Sequence, residues 1–267
     1  MKTYMVDSFT GEKFKGNPAG VCFPESELSE KSMQQIAHEL GFSETAFLRK
    51  NGQKDSYAIR YFSPTVEIPL CGHATLASAK VLFRETNTDK LHFTTIEKLN
   101  LKVTKHGEEI TMEFPVYDTE AVTAAGDILK ALGLTSVSNS VYNAHNRVIV
   151  LEIKSSEELA SLRPDFTMLM SGHDNLHGVL VTAPANDDGY DYHYRFFAPW
   201  SGINEDPVTG GVQTFLAKYW SKKLNKKNLR AFQSSSRTGY MNLTMQNEHV
   251  LLTSRAVIMF EGNFLAE

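Results

Sequence analysis

The sequence predicts an α+β fold built from two similar halves, and three observations lead to it. The chain has 267 residues, enough for one large domain or two small ones. Many short strand-like runs are interspersed with a few helical patterns, an arrangement typical of α+β folds with extensive sheet. An eight-residue pattern also recurs at about half the chain length.

The first half is predicted to begin with a strand and a turn-rich loop and to contain two helices. An amphipathic helix over 30–40 carries Met33 and Ile36 on its apolar stripe and ends at Gly41. Residues 71–84 form a second helix, which is too apolar for a surface position and is therefore expected to be buried. The predicted strands cover 3–9, 21–23, 45–49, 57–62, 91–95, 99–105 and 109–114.

The second half repeats this mixture. Its predicted helices cover 119–132, 155–162, 165–171 and a longer stretch from Pro207 to Lys222. Its predicted strands cover 147–153, 177–183, 192–198, 229–233, 239–245 and 249–260. The helix that begins at Pro207 would correspond to the buried helix of the first half.

Composition and charge exclude several classes of function. The formal net charge is -4, which argues against a general nucleic-acid or anionic-membrane binder, and no apolar run approaches the ~20 residues of a membrane span. The two cysteines cannot form a disulfide framework or a four-thiolate zinc site, and no His-Glu-x-x-His or phosphate-loop motif occurs. The histidine spacing does not suggest metal catalysis. The N-terminus lacks the features of a secretory signal, so we expect a cytoplasmic protein.

The internal repeat relates two strand-turn-helix segments. Residues 57–64 read YAIRYFSP and residues 192–199 read YHYRFFAP, with the two arginines 135 residues apart. The same offset aligns Cys71 with Asp206, each just before a predicted helix. Two related halves imply a pseudo-two-fold arrangement with a ligand cleft between them.

The predicted helix starts suit the binding of a carboxylate or a developing oxyanion. The first turn of a helix offers free N–H groups and the positive end of its dipole, and glycines such as Gly72, Gly210 and Gly211 allow close approach. Asp206 before Pro207 is equally typical of a helix cap and of a catalytic carboxylate.

The other reactive side chains also leave two interpretations open. Cys71 at a helix start is expected either to have thiolate character or to be a small buried apolar residue. His73 is either an acid/base or a hydrogen-bonding residue, and the helix dipole favours its neutral form. Glu44, between Phe42 and Phe47, would have a raised pKa if these rings desolvate it. Solvent exposure is the default for such a Glu.

Four motifs resemble the phenazine-biosynthesis PhzF-like isomerase family, which shares its fold with diaminopimelate epimerase. They are FKGNPAGV at 14–21, GFSETAF at 41–47, LCGHATLA at 70–77 and EDPVTG at 205–210. The resemblance implies two halves, residues 1–116 and 117–267, each a curved sheet or barrel around a central helix. It also allows the C-terminal tail to pack on the first half, and it implies a homodimer.

The resemblance implies proton-transfer chemistry without a metal or organic cofactor on a small carboxylate-bearing metabolite. The reaction would be of the trans-2,3-dihydro-3-hydroxyanthranilate isomerase type in a biosynthetic process. By motif, the catalytic residues fall on Glu44, His73 and Asp206, which would converge on one pocket. The substrate-binding positions would be Cys71, Gly72, Thr209, Gly210 and Gly211.

Departures from the family pattern leave two other functions open. The run Gly211-Val212-Gln213 lacks the hydroxyl that the family usually places after Thr-Gly, and Gln233-Ser234 replaces its Gln-Gly element near the C-terminus. One alternative is an amino-acid epimerase or racemase that uses Cys71 and Asp206. The other is a non-catalytic small-molecule-binding protein of the same fold.

Overall fold

The computed structural model describes residues 1–173, 175–186 and 189–265. The chain divides into two compact units. The first comprises Met1–Phe114 together with the C-terminal segment from Leu251, and the second comprises Pro115–Val250. Each unit has mixed strands and helices, so the predicted α+β class is confirmed.

The elements of the first unit follow the predicted order. Its strands up to residue 115 are β1 (Lys2–Ser8), β2 (Asn17–Phe23), β3 (Glu44–Lys50), β4 (Ser56–Phe62), β5 (Glu67–Ile68), β6 (Lys90–Thr94), β7 (Asn100–His106) and β8 (Glu109–Pro115). Its helices are α1 (Glu30–Leu40) and α2 (Gly72–Glu85). Ser29 caps α1 by accepting the Ser32 amide, and Gly41 ends the helix with a φ of 66°.

The second unit and the C-terminal strands complete the chain. The strands are β9 (Glu120–Ala121), β10 (Asn139–Asn143), β11 (Val148–Glu152), β12 (Gly178–Pro184), β13 (Tyr192–Phe197), β14 (Asn228–Gln233), β15 (Gly239–Gln246), β16 (His249–Ser254) and β17 (Ala256–Asn263). The helices are α3 (Gly126–Leu132), α4 (Ser156–Ser161), α5 (Phe166–Met170) and α6 (Gln213–Leu224).

The strand pairing repeats between the units. In the first unit, β1-β2, β3-β4 and β6-β7 pair antiparallel, and they are joined by the parallel pairs β2-β3 and β4-β6. In the second, β10-β11, β12-β13 and β14-β15 pair antiparallel, and they are joined by the parallel pairs β11-β12 and β13-β14. The helices α2 and α6 each connect the strands of the later parallel pair. The shared pairing order extends the repeat found in the sequence to six strands per unit.

The two long helices are buried to different extents. Ten of the 14 residues of α2 are buried, and the helix packs against β1, β2, β3 and β17. Six of the 12 residues of α6 are buried, and this helix packs against β14 and β15. The prediction that 71–84 form a buried helix is therefore confirmed.

Three predicted boundaries are wrong. The helix predicted over 119–132 is only α3, because the preceding residues pair with β10 and the Val122 amide donates to the Ser140 carbonyl. The strand predicted over 249–260 is divided into β16 and β17 by Arg255.

The helix predicted from Pro207 begins only at Gln213. The Thr209 amide donates to a side chain instead of a helical carbonyl, and two glycines at 210 and 211 weaken helix formation. Pro207 therefore does not open the helix, and Asp206 does not cap it.

Candidate active site

Glu44 and His73 meet in the first unit. Glu44 opens β3, just after the left-handed turn at Gly41, and His73 lies in the first turn of α2. His73 Nε2 is 3.0 Å from Glu44 Oε2, and the two side chains are only 8% and 15% exposed. The pair is therefore a largely dehydrated contact between an imidazole and a carboxylate.

Cys71 joins this pair from the N-cap position of α2. Its Sγ lies 3.4 Å from His73 Nδ1 and 3.8 Å from His73 Nε2. The Thr75 hydroxyl donates to the Cys71 carbonyl over 2.6 Å and lies 2.6 Å from the Tyr61 hydroxyl. These bonds fix the backbone from which the thiol projects.

Asn17 and Ser43 complete the polar surroundings of His73. The Asn17 carboxamide nitrogen is 3.3 Å from His73 Nδ1, and the Ser43 hydroxyl is 3.3 Å from both His73 Nε2 and Asn17 Oδ1. The Ser8 hydroxyl donates to the His73 carbonyl over 2.7 Å. Asn17 and Ser43 are not among the predicted site residues, although both lie within the motifs quoted above. A signal was present in the sequence, because Asn17 directly follows Gly16 and Ser43 directly precedes Glu44.

The charges of Glu44 and His73 stabilise each other. Burial raises the pKa of Glu44, but His73 lowers it more, so the pKa lies below its ordinary value. Burial lowers the pKa of His73, but Cys71 and Glu44 raise it well above its ordinary value. The expected raised pKa of Glu44 and the expected neutral His73 are therefore both wrong, because the polar contacts of each group together outweigh the effect of its burial.

The pKa of the Cys71 thiol is raised above its ordinary value. Burial raises its pKa, and the Glu44 carboxylate adds to this effect, so that together they outweigh the lowering by His73. The expectation of a thiolate at this helix start is therefore wrong, and the charged pair of the cluster is Glu44 with His73.

The start of α2 offers backbone donors next to these side chains. Within the part of the chain that the structure describes, the amides of Gly72 and His73 donate to no acceptor. Such amides are the usual unpaired donors of a helix N-terminus, where they can bind an anion. The first unit thus brings together four predicted site residues, namely Glu44, Cys71, Gly72 and His73.

The other four predicted site residues lie in the loop before α6, in the second unit. The Thr209 hydroxyl donates to Asp206 Oδ2. The carbonyls of Gly210 and Gly211 accept from the amides of Gln213 and Thr214 over 3.0 and 3.2 Å. Asp206 and Thr209 are half-buried, Gly210 is buried and Gly211 is exposed.

Gln233 holds this loop in place. Its side-chain nitrogen donates to the Asp206 carbonyl over 2.6 Å, and its oxygen accepts the Thr209 amide over 2.7 Å. Gln233 is fully buried at the end of β14. From the sequence, Gln233 was considered only as part of a departure from the family pattern, and this supporting role was missed.

Two residues of the run that departs from the family pattern, Val212 and Gln213, are buried in the second unit. Val212 is 4% exposed and Gln213 is fully buried, with Gln213 Oε1 accepting the Tyr192 hydroxyl. The Tyr192 ring stacks on Trp220 at an interplanar angle of 7°. Gln213 therefore anchors the start of α6.

Comparison with known proteins identifies the family. The model of the phenazine biosynthesis-like protein family, PhzC-PhzF, matches residues 6–262. The chain belongs to this family. It is 38% identical to phenazine biosynthesis-like domain-containing protein 1 of Mus musculus, with 98% of each chain covered. It is 36% identical to an uncharacterized isomerase of Halalkalibacterium halodurans, covering 98% of this chain and 97% of that protein.

Solved structures agree with the fold of this PhzC-PhzF chain. A PhzF-family protein of Enterococcus faecalis has a TM-score of 0.91 and 39% identity, with 99% of each chain covered. A probable proline racemase of Agrobacterium radiobacter has a TM-score of 0.65 at 8% identity, covering 100% of this chain and 93% of that one, and this likeness concerns the fold alone. These likenesses confirm the predicted fold class of the chain. Among the described residues, no helix has both the length and the apolar character needed to cross a membrane.

Proposed function

We propose that this chain is a cofactor-independent isomerase that moves a proton on a small carboxylate-bearing metabolite, as in the isomerisation of trans-2,3-dihydro-3-hydroxyanthranilate. The observation that supports this proposal most is the buried contact of 3.0 Å between Glu44 and His73. Proton transfer by a positioned carboxylate is a common way to isomerise an activated carbon acid.

Glu44 is the principal acid/base group in this proposal. Its lowered pKa keeps it ionised at neutral pH, so it starts the reaction as a base. It removes a proton from a carbon next to a conjugated carboxylate and returns that proton to another carbon on the same face. The proton removed equals the proton returned, so the reaction is an isomerisation that requires no other reactant.

His73 and the helix start support the charge that develops during the transfer. His73 stabilises the ionised Glu44 and holds its carboxylate in place over 3.0 Å. The unpaired amides of Gly72 and His73 supply donors of the kind that stabilise an enolate-like charge or a carboxylate.

The second-unit residues are proposed to assist. Asp206 is the second acid/base group, and Thr209, Gly210 and Gly211 bind the substrate carboxylate. The two hydrogen bonds from Gln233 to the Asp206-Thr209 loop support this part of the proposal, because a binding loop has to be held in one conformation.

An amino-acid epimerase is the second candidate, and the position of Cys71 favours it. The sulfur lies 3.4 Å from His73 and is a protonated thiol, able to donate a proton. In this alternative, Cys71 and Asp206 would exchange protons with opposite faces of an α-carbon.

Product formation and solvent exchange together distinguish these functions. We would incubate trans-2,3-dihydro-3-hydroxyanthranilate and, separately, proline and diaminopimelate with the protein in deuterated water and follow both product formation and deuterium exchange by NMR. The variants are Glu44→Gln, Cys71→Ala and Asp206→Asn. Glu108→Gln is the control, because Glu108 is an exposed carboxylate of the same unit, paired with Lys80 over 2.8 Å.

The isomerase predicts conversion of trans-2,3-dihydro-3-hydroxyanthranilate that falls ~100- to 10,000-fold in Glu44→Gln. Conversion should fall in Asp206→Asn and persist in Cys71→Ala and Glu108→Gln. Exchange confined to the amino acids and lost in Cys71→Ala would establish the epimerase instead. Binding with neither product formation nor exchange in any of these compounds would contradict both and favour a binding protein.

A further inference from the structure

A cavity of about 430 Å³ in the second unit is lined by none of the predicted site residues. Its lining comes mainly from the segment 160–166, which joins α4 to α5, and from residues 234–236, which follow β14. Pockets for small molecules commonly have volumes of ~300–1,000 Å³. The cavity is therefore large enough for a small organic ligand, and the proposed proton transfer does not use it.

The apolar part of the lining is held in place by the core of the second unit. Leu162, Pro164 and Phe166 line the cavity, and all three are buried or half-buried. The Phe166 ring packs against this core, with its centroid 6.1 Å from that of Phe197. A ring that is held by such packing can contact the apolar part of a ligand without first being ordered.

The charged part of the lining has one positive charge in excess. The charged residues that line the cavity are Arg163, Arg195 and Glu205. Arg195 and Glu205 neutralise each other through two hydrogen bonds of 2.7 and 2.8 Å. Arg163 Nη1 donates to carbonyls at the end of α4, with the shortest contact of 2.9 Å to Leu162, but Nε and Nη2 of Arg163 donate to no group of residues 1–173, 175–186 and 189–265.

The serine loop after β14 adds hydroxyl groups on a fixed backbone. The Ser235 hydroxyl donates to the Pro207 carbonyl and accepts the Thr238 amide over 3.3 Å. Ser236 is exposed, and its hydroxyl contacts no protein group in the part of the chain that the structure describes. The cavity thus combines an anchored loop, a hydroxyl that can donate and a guanidinium with unused donors.

We infer that this cavity is a second small-molecule site, which binds an aromatic monocarboxylate. One carboxylate balances the one excess positive charge, and the planar guanidinium of Arg163 matches its two oxygens. The apolar residues beside Phe166 suit the ring of such a ligand. A phosphate dianion would bring a surplus negative charge close to Glu205 and would leave the apolar lining without a partner.

The site is connected to the loop that carries Asp206. Glu205, which directly precedes Asp206, lines the cavity, and so does Ser235, which binds the Pro207 carbonyl. A bound ligand is therefore expected to restrict the motion of the backbone around Asp206. The inference goes beyond the proposed function, and ligand binding does not depend on isomerase activity.

Calorimetry with benzoate tests the site without any substrate. Benzamide is the matched neutral compound, and inorganic phosphate is the matched anion without a ring. The wild type is expected to bind one benzoate per chain and to bind benzamide and phosphate ~10-fold or more weakly, because a hydrogen bond to a charged group is lost or the ring is absent. Hydrogen exchange measured by mass spectrometry should show protection by benzoate in peptides that cover 160–166 and 234–236.

Arg163→Met is the decisive variant, and Arg147→Met is its control. Arg163 and Arg147 are both exposed arginines of the second unit, and Arg147 lies in the turn between β10 and β11, where it contacts His177. Arg163→Met should weaken benzoate binding by ~10- to 100-fold and remove the protection. Arg147→Met should bind benzoate as the wild type does.

Three results would overturn the inference. They are no measurable binding at millimolar benzoate, an unchanged affinity in Arg163→Met, and tighter binding of phosphate than of benzoate. Protection confined to peptides around Gly72 and His73 would also overturn it, because benzoate would then occupy the candidate active site. Circular dichroism checks the fold of each variant, and if Arg163→Met does not fold, the protection map of the wild type decides the question. No measurement uses turnover, so a failure of the proposed isomerase function remains distinguishable.

Discussion

Arg60 in the first unit and Arg195 in the second hold corresponding places in the repeat and make the same interactions. Arg60 binds both oxygens of Glu67 over 2.7 and 2.6 Å, and Arg195 binds both oxygens of Glu205 over 2.7 and 2.8 Å. Each guanidinium also lies over the phenylalanine two residues later, at 5.2 Å for Phe62 and 5.0 Å for Phe197. The duplicated motif is therefore preserved as an Arg-Glu clamp.

The units differ after the clamp. In the first, α2 begins five residues after Glu67, and its first turn carries Cys71, Gly72 and His73 next to Glu44. In the second, Asp206 follows Glu205 directly and α6 begins only at Gln213. The clamp and the strand order were therefore retained, whereas the segment that carries the reactive groups diverged.

Removing the clamp arginines should give the largest effect on stability, and an unequal one. The Arg195 side chain is 8% exposed and also donates to the carbonyls of Leu159 and Leu162 over 3.1 and 3.0 Å. The Arg60 side chain is 25% exposed. We expect Arg195→Met to lower the free energy of unfolding by about 3–5 kcal/mol. Arg60→Met should lower it by about 1 kcal/mol.

Urea unfolding measures both losses. Arg195→Lys is the matched control, because it keeps the charge but cannot bind both Glu205 oxygens in the same way. Its loss should lie between those of the wild type and Arg195→Met. Equal losses for Arg60→Met and Arg195→Met would contradict the expectation that the Arg195-Glu205 clamp contributes more to stability than the Arg60-Glu67 clamp.

The loop that carries Asp206 is held by two hydrogen bonds of the Gln233 side chain. Gln233→Leu leaves the Thr209 amide and the Asp206 carbonyl without their partner. We expect the free energy of unfolding to fall by about 2 kcal/mol, because each buried group that loses its hydrogen bond costs about 1–3 kcal/mol and the loop can partly relax. Thermal unfolding would measure this loss.

Gln246→Leu provides the control for that measurement, since Gln246 is exposed at the end of β15. Its effect should stay within about 0.5 kcal/mol. If Gln233→Leu were equally harmless, the Asp206-Thr209 loop would not depend on the Gln233 hydrogen bonds. These bonds would then not explain why α6 begins later than predicted.

Local signals in the sequence were sufficient for several elements and for part of the site. The helix α1 spans the predicted residues and ends at Gly41 as predicted, because cap residues such as Ser29 and Gly41 act within one turn. Glu44 and His73 were found through motifs that lie 29 residues apart, and the structure brings them into contact.

The remaining features depend on residues distant in sequence. The start of α6 was misplaced because Gln233, 24 residues beyond Thr209, takes the Thr209 amide out of the helix. The pKa directions of Glu44 and His73 were wrong because the sequence did not show that each would be the other's closest charge. Such pairings follow from the fold and not from neighbouring residues.

A substitution at Gly211 should have the smallest effect on stability and should act on substrate binding alone. A Cβ added at Gly211 would have no heavy atom within 4 Å, and its φ is not in the left-handed region. Gly211→Ala should therefore change the free energy of unfolding by no more than ~0.5 kcal/mol. The added methyl group causes no strain in the folded state, and it only slightly reduces the conformational freedom of the unfolded chain. Gly126→Ala at the start of α3 is the matched control, because it is equally open.

If Gly211 binds substrate through its backbone, as proposed, the added methyl group should lower substrate conversion while Gly126→Ala leaves it unchanged. Equal conversion in both variants would remove Gly211 from the proposed binding residues. A stability loss in Gly211→Ala well beyond that of Gly126→Ala would instead mean that this glycine serves the turn before α6. Only a loss of conversion at constant stability would show that the divergence between the two helix starts serves ligand binding.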